Sequence, residues 1–377
     1  MFATHRNRQL GLVYRDAARG DGGYTLFSST HGTHATLLDS EGQIVHRWSY
    51  PEGIQYGRLL ESGHLLMRTQ PPRDAGGVER IGGSSGALIE LDWDGNVVWE
   101  YRNSMMHHDF ERLPNGNHLI VTWRTLPAGV TPQIRGGLAA DDDPADMLGD
   151  VVQEVTPTGD VVSEWRSWEH LRYDEDRLCP LDGRREWTHL NSIAVTPSGD
   201  WLVSFRLTDT VALVDPSTGE FRWKWGPGTL SHQHHATWLD SGHVLVFDNG
   251  SHRRRGPNFS QVIEVDPATD EVVWTYRAPV LLSFYSFMVS GAERLPNGNT
   301  FITEGASGHL FEVTPEGETV WEYVSGFTYE SRAFGPTPMM FRAHRYAAGD
   351  ARFRGRDLDP ARHAAATDAH RAGETPY

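Results

Sequence analysis

One unit recurs six times along the chain: a turn, then a short alternating run that carries tryptophan. SEGQIVHRW ends at Trp48, DWDGNVVWEY surrounds Trp99 and TPTGDVVSEW ends at Trp165. PSTGEFRWKW surrounds Trp223, PATDEVVWTY surrounds Trp274 and TPEGETVWEY surrounds Trp321. Each Trp lies four or six residues beyond the turn glycine or its equivalent. Both offsets are even, so in a strand every Trp points to the same sheet face. A second unit alternates with the first and reads GRLLESGHLLM, ERLPNGNHLIV, IAVTPSGDWLV, TWLDSGHVLVF and ERLPNGNTFIT. Each is strand, glycine turn, strand, which is a hairpin. Two hairpins make a four-stranded blade, and copies recur at roughly the blade-like spacing of 50 to 60 residues. The chain is therefore expected to be all-β, a six-bladed β-propeller with four-stranded antiparallel blades over residues 1–346, followed by a C-terminal extension at 347–377. The first Trp hairpin lacks a partner. Its missing strands are expected from GLVYRD and MMFRAHRY, with the two ends pairing to remove exposed edges. SWEHLRYDED is the best helix candidate.

Composition narrows the partners. A formal charge of -16, from 34 basic and 50 acidic residues, argues against a nucleic-acid backbone. No stretch approaches the roughly 20 apolar residues of a membrane span. Cys179 is the only cysteine, so no intrachain disulfide can form. With no secretory leader at the start of the sequence, a cytoplasmic location is expected.

Repeats allow blades to be compared with one another. Five residues before the Leu of ERLPNGN, or its equivalent, stand Gln55, His108, Asn191, His234 and Ser290. A propeller gathers such positions near its axis. Gln55 and Ser290 fit a merely wet channel, whereas His108 and His234 sit in the clusters MMHHDF and SHQHHATW. His189 joins Asn191 from two residues upstream, on the same side by strand parity. Arg124 closes HLIVTWR and Arg206 closes WLVSFR; they are read as matched positions and hence as an anion-binding pair. By the same parity His235 faces away from the axis and His232 stands behind the site. His31, His34, His252 and His309 are placed on loops or strand ends that could flank the pocket. His46, His64, His118 and His243 are read as exposed or packed on a turn. Phe284, Tyr285 and Phe287 suit either an aromatic wall for a substrate ring or core packing.

MHHDFERLPNGN, THLNS, QHHATWLDSGHVLVFDNG and GAERLPNGNTFITEG resemble successive signatures of the arylsulfotransferase family. GYTLFSS…LLDSEGQIVHRW and MFRAHRY are similar to that family's first blade and its end, so the likeness spans about residues 20 to 346. It implies transfer of a sulfuryl group from a phenyl sulfate to a phenol, without a cofactor, through a transiently sulfated histidine. The nucleophile would be His234, helped by His108, His189, Asn191 and Arg206. Arg124, Gln55, Ser290 and Tyr285 are candidate substrate contacts, and the partners would be small aromatic molecules. Familiar members are secreted and carry a disulfide; this sequence shows neither a leader nor a second cysteine.

Two rivals come from the residues themselves. A metal-dependent propeller enzyme, a lyase or an oxygenase, could hold an ion on His108, His189 and His234. A non-catalytic scaffold would leave the same side chains pointing apart.

Overall fold

A computed structural model describes residues 9–73, 78, 81–138, 146–331 and 335–374. Six antiparallel sheets form the blades of a six-bladed β-propeller. Two compact units carry three blades each. Unit 1 comprises Met1–Gln70, Gly86–Arg102 and Ser286–Tyr377; unit 2 comprises Pro71–Ser85 and Asn103–Tyr285.

In unit 1, blade 1 is ordered Met340–Tyr346, Tyr24–Ser29, His34–Leu38, Ile44–Ser49. Blade 2 is Tyr56–Leu59, Leu65–Arg68, Ala87–Leu91, Val97–Arg102. Blade 6 runs Gly291–Arg294, Thr300–Glu304, His309–Val313, Thr319–Val324. The two chain ends are divided between blades. Met340–Tyr346 supplies the strand that blade 1 lacked, but Gly11–Arg15 pairs antiparallel with Thr319–Val324 as a fifth strand on blade 6. The ends do not pair with each other: one strand fills blade 1, so the N-terminal segment covers a different edge. The extension is structured as well. Pro360–His363 is a 3₁₀ turn capped by the Asp359 carboxylate, and it leads into the helix Ala364–Ala372. Thr367 Oγ1 accepts a hydrogen bond from Ile44 N at 3.1 Å, and buried His370 meets Tyr323 Oη at 2.5 Å. The helix lies so close that a Cβ on Gly326 would stand 2.2 Å from the His370 carbonyl oxygen. The helix expected in SWEHLRYDED is only the 3₁₀ turn Ser167–Glu169.

In unit 2, blade 3 is Met106–Arg112, His118–Thr125, Leu148–Val155, Val161–Arg166, with Glu186–Trp187 joining Leu148–Val155 in parallel. Blade 4 is Leu190–Val195, Trp201–Phe205, Thr210–Val214, Phe221–Trp225. Blade 5 is His234–Trp238, Val244–Asp248, Gln261–Asp266, Glu271–Tyr276.

The repeated Trp has a physical purpose in both units. Trp48 Nε1 donates to Asp92 O at 3.0 Å, Trp321 Nε1 to Ser40 O at 2.9 Å, and Trp165 Nε1 to Gly219 O at 2.9 Å. Trp223 Nε1 donates to Asp270 Oδ1 at 2.7 Å. Each indole thus reaches a turn of the following blade. A buried indole needs a partner for its N–H, and the outer turn provides one. Apolar cores between successive blades, such as Leu37, Trp48, Met67 and Ile89 in unit 1, lie beneath these latches.

Candidate active site

In unit 2, His108, His189, Asn191 and His234 sit at or near the start of inner strands, Arg206 follows the second strand of blade 4, and histidines of this region have unusual backbones. Ten described non-glycine residues have positive φ, and six are histidines: His31, His108, His189, His232, His235 and His252. This region of φ is costly for a residue with a Cβ and clusters at functional sites. Near each of these inner strands the ladder also slips. Bulges fall between Ile120 and Thr122 opposite Phe110 and Met106, between Leu190 and Ser192, and between His234 and Thr237. Strict alternation therefore fails in this region. His235 is buried with a left-handed backbone inside the bulge, so parity does not decide which way it faces.

His108 and His189 stack edge to face with ring centroids 4.3 Å apart. His108 N donates to Gly83 O, and a Cβ on Gly83 would lie 2.2 Å from the imidazole. Gly83 has φ +84°, so both its conformation and the ring it supports require glycine. His107 lies behind, its Nδ1 2.8 Å from His108 Nδ1, its ring stacked on Trp123 and its Nε2 3.4 Å from Asp150 Oδ1. Burial, followed by the nearby Glu186 carboxylate, pushes Asp150 up to about 6, although Thr188 donates to it.

Glu186 orients His189. Its Oε1 accepts from His189 Nδ1 at 2.7 Å, and its Oε2 accepts from Trp123 Nε1 at 3.1 Å. This fixes the tautomer and leaves Nε2 of His189 without a hydrogen-bond partner among the described residues. His189 O accepts from Arg206 N at 3.1 Å, which joins the two backbones. The Arg206 guanidinium has no hydrogen-bond or ion-pair partner among the described residues. Burial pulls its pKa below the ordinary value against the pull of Asp182, Glu186 and Asp209. A half-buried guanidinium in that condition suits an anion.

His234 is 3 % exposed, and its Nδ1 lies 2.7 Å from Asn249 Oδ1. A carboxamide oxygen can only accept, so Nδ1 carries the proton and Nε2 the lone pair. Gln233 ties His234 to the neighbouring blade. Its carbonyl accepts from Asn191 Nδ2 at 2.8 Å, and its Nε2 donates to Ser204 Oγ, Phe205 O and Thr210 O. Asn191 therefore positions the segment that holds His234.

In unit 2, then, His108 touches His189, Arg206 N bonds His189 O, and Asn191 bonds the carbonyl of Gln233, the neighbour of His234. Other candidates have different occupations. Arg124 makes a bidentate pair with Glu164 at 2.9 and 2.6 Å and is half-buried. It lies eight residues after Gly116, whereas Arg206 lies seven after Gly199, so the two are not matched positions. Gln55, in unit 1, accepts from Arg68 at 2.6 Å and donates to Gln70. Ser290, also in unit 1, bonds Ser286 Oγ and accepts from Gly305 N. Tyr285 Oη lies 3.4 Å from Ser251 Oγ. Phe284 is core, packed on Phe247 and Tyr276. His118 is fully buried beside Arg112 rather than placed on an exposed turn. His108, His189 and His234 do not bring donor atoms together as a metal group. Among the described residues the group that does is Cys179, Asp182, His232 and His252.

Three of the supporting residues escaped the sequence reading: Glu186, Asn249 and Gly83. Asn249 lies in the DNG that follows QHH, and this proximity was the available signal. Nothing in sequence spacing pointed to Glu186 or Gly83.

Fold and side chains together define a β-propeller carrying a histidine cluster served by buried carboxylates. A family model described as Arylsulfotransferase (ASST) matches residues 76–326, and the chain belongs to that family. No curated protein matches it. Among solved structures, a protein of unknown function from Bacteroides caccae is similar with a TM-score of 0.54 and 15% identity, covering 86% of this chain and 98% of that one. Virginiamycin B lyase from Staphylococcus aureus is similar with a TM-score of 0.46 and 11% identity, over 84% and 85% of the two chains.

Proposed function

We propose that the chain transfers a sulfuryl group from an aryl sulfate to a phenolic acceptor through a sulfated His234. The observation that carries this reading, beside family membership, is the Asn249 contact that holds the proton on Nδ1 of His234. Nε2 attacks sulfur; the N–S bond forms and the S–O bond to the aryl group breaks. Negative charge spreads over the sulfuryl oxygens, where Arg206 is the donor best suited to meet it. The departing phenolate takes a proton from Nε2 of protonated His189. The neutral ring then removes the proton from the acceptor phenol, whose oxygen attacks sulfur and frees His234. Glu186 supports His189 in both protonation states. His108, against the His189 ring, is the second candidate for proton transfer.

The test is incubation with 4-nitrophenyl sulfate, first without and then with a phenol, followed by intact mass. The expected result is a gain of one SO₃ that disappears on adding acceptor and is absent from His234→Asn. Turnover with no such adduct in rapidly quenched samples argues for direct transfer and defeats the reading.

No helix among the described residues is long and apolar enough to cross a membrane. The cytoplasm remains our proposed location, because a lone cysteine gives no use for an oxidising compartment. Fractionation of cells making the protein tests it.

A further inference from the structure

We propose that Cys179, Asp182, His232 and His252 bind one divalent cation of the zinc type, at a site separate from the histidines assigned to sulfuryl transfer. The proposal does not depend on that reading. The four side chains come from three segments of unit 2. Cys179 and Asp182 share a turn, in which Asp182 N donates to Cys179 O. Cys179 N donates to Leu207 O and fixes that turn beside blade 4. His232 precedes the first strand of blade 5, and His252 follows its second strand. Gly250 N donates to Ser231 O, holding these two loops together.

One donor atom from each residue lies within 4.8 Å of the other three. Cys179 Sγ is 3.6 Å from His252 Nδ1, and His252 Nδ1 is 3.7 Å from Asp182 Oδ1. Zinc bonds of ~2.0–2.3 Å in a tetrahedron place donors roughly 3.3–3.8 Å apart. Both distances fall in that range. The third, His232 Nε2 to Asp182 Oδ2 at 2.6 Å, is a hydrogen bond. A cation replaces its shared proton and opens the contact by less than about an ångström.

A further feature is typical of a ligand histidine. Asp209 Oδ1 stands 3.3 Å from His232 Nδ1 and accepts from His232 N at 2.8 Å. A carboxylate behind the ring fixes its orientation and turns Nε2 toward the site. Thiolate with two imidazoles and one carboxylate suits zinc; magnesium and calcium take oxygen donors. Charge also closes. A Cys179 thiolate, Asp182 and Asp209 carry three negative charges, and a divalent ion with the adjacent Arg206 carries three positive ones. Four protein donors complete a tetrahedral ion, so the role is structural. The ion would clip the turn bearing Cys179 to the loops of blade 5.

Protein purified without a histidine tag, dialysed and assayed for metals by plasma mass spectrometry should hold one zinc per chain. Competition with a chromophoric chelator should show zinc affinity reduced roughly 100-fold or more in Cys179→Ser and in His252→Ala. His234→Asn should retain its zinc. Cobalt exchanged into the wild type should give a thiolate charge-transfer band that Cys179→Ser lacks. His252 is a third exposed, so its variant should keep the native circular dichroism. Less than stoichiometric binding under excess zinc overturns the proposal. So does unchanged affinity when Cys179 and His252 are both replaced.

Discussion

Asn249 Oδ1 holds the proton on Nδ1 of His234, and the nucleophilic role proposed for Nε2 can be tested one atom at a time. Replacing His234 by Asn should preserve the fold and lower turnover of an aryl sulfate by ~10⁴-fold or more, because the nucleophile acts as a unit with its partners. His235→Asn should lose far less. Asn249→Ala frees the tautomer and should reduce kcat by roughly 10- to 100-fold with KM little changed, as loss of an orienting partner does. Steady-state kinetics of the three variants check the ranking; equal losses at 234 and 235 would remove the nucleophile assignment. A separate titration concerns stability. His309, in unit 1, sits between Glu304 Oε2 at 2.8 Å and Glu322 Oε1 at 3.0 Å. Burial works against its proton, but the two carboxylates outweigh it and raise its pKa to about 8. The folded value exceeds the unfolded one of about 6.5, so the stabilisation is complete below pH ~6.5 and is lost as pH rises through 8. It is worth on the order of 2 kcal/mol. Thermal melts at pH 6 and pH 9 should therefore converge in His309→Gln relative to wild type.

At the level of strands and turns, the Trp offsets could be read from sequence because all six hairpins carry the same irregularity, a bulge between the turn and the Trp, so the copies stay equivalent. The same offsets become latches between blades, as at Trp48 and Trp165. Parity failed at the strand starts for a physical reason: bulges and left-handed histidines break the period of two where His108, Asn191 and His234 sit. The repeat singles out candidate residues but not the side chains that contact them. Glu186 belongs to a two-residue strand that pairs in parallel with blade 3, and no repeat predicts such an insertion. Arg124 was misread because the count from its turn differs by one from that of Arg206. Gly83 offers a test of how tightly these supports hold. Gly83→Ala places a methyl at the His108 ring and strains a positive φ. Turnover should fall by roughly 10²-fold, the low end of losing a proton-transfer group, with the melting temperature down by only a few degrees. Wild-type kcat in Gly83→Ala would remove His108 from the reaction.

For the whole chain, the two ends make unequal contributions within unit 1, and truncation should expose the difference. Gly11–Arg15 is an outer fifth strand; Leu12 and Val13 are half-buried and Tyr14 is exposed. Met340–Tyr346 is the first strand in the order of blade 1, paired along its length with Tyr24–Ser29, and Met340, Phe341 and Tyr346 are buried. Burying each such side chain is worth about 1.5–3 kcal/mol, and the net stability of a domain is only about 5–15 kcal/mol. The inner strand also carries Arg345. Its guanidinium lies 4.8 Å from the Phe301 ring and 4.4 Å from the Trp321 ring, with Glu312 at 3.6 Å. Removing it would leave the fully buried Glu312 without its cation, a loss of several kcal/mol in itself. Deleting residues 1–15 should thus leave a cooperative melt a few degrees lower, with faster amide exchange confined to Thr319–Val324. A chain ending at residue 339 should lose the cooperative transition and the protection of Tyr24–Ser29. Differential scanning calorimetry and hydrogen exchange distinguish the two, and a native-like melt for the shorter C-terminal form would show that blade 1 folds without its innermost strand.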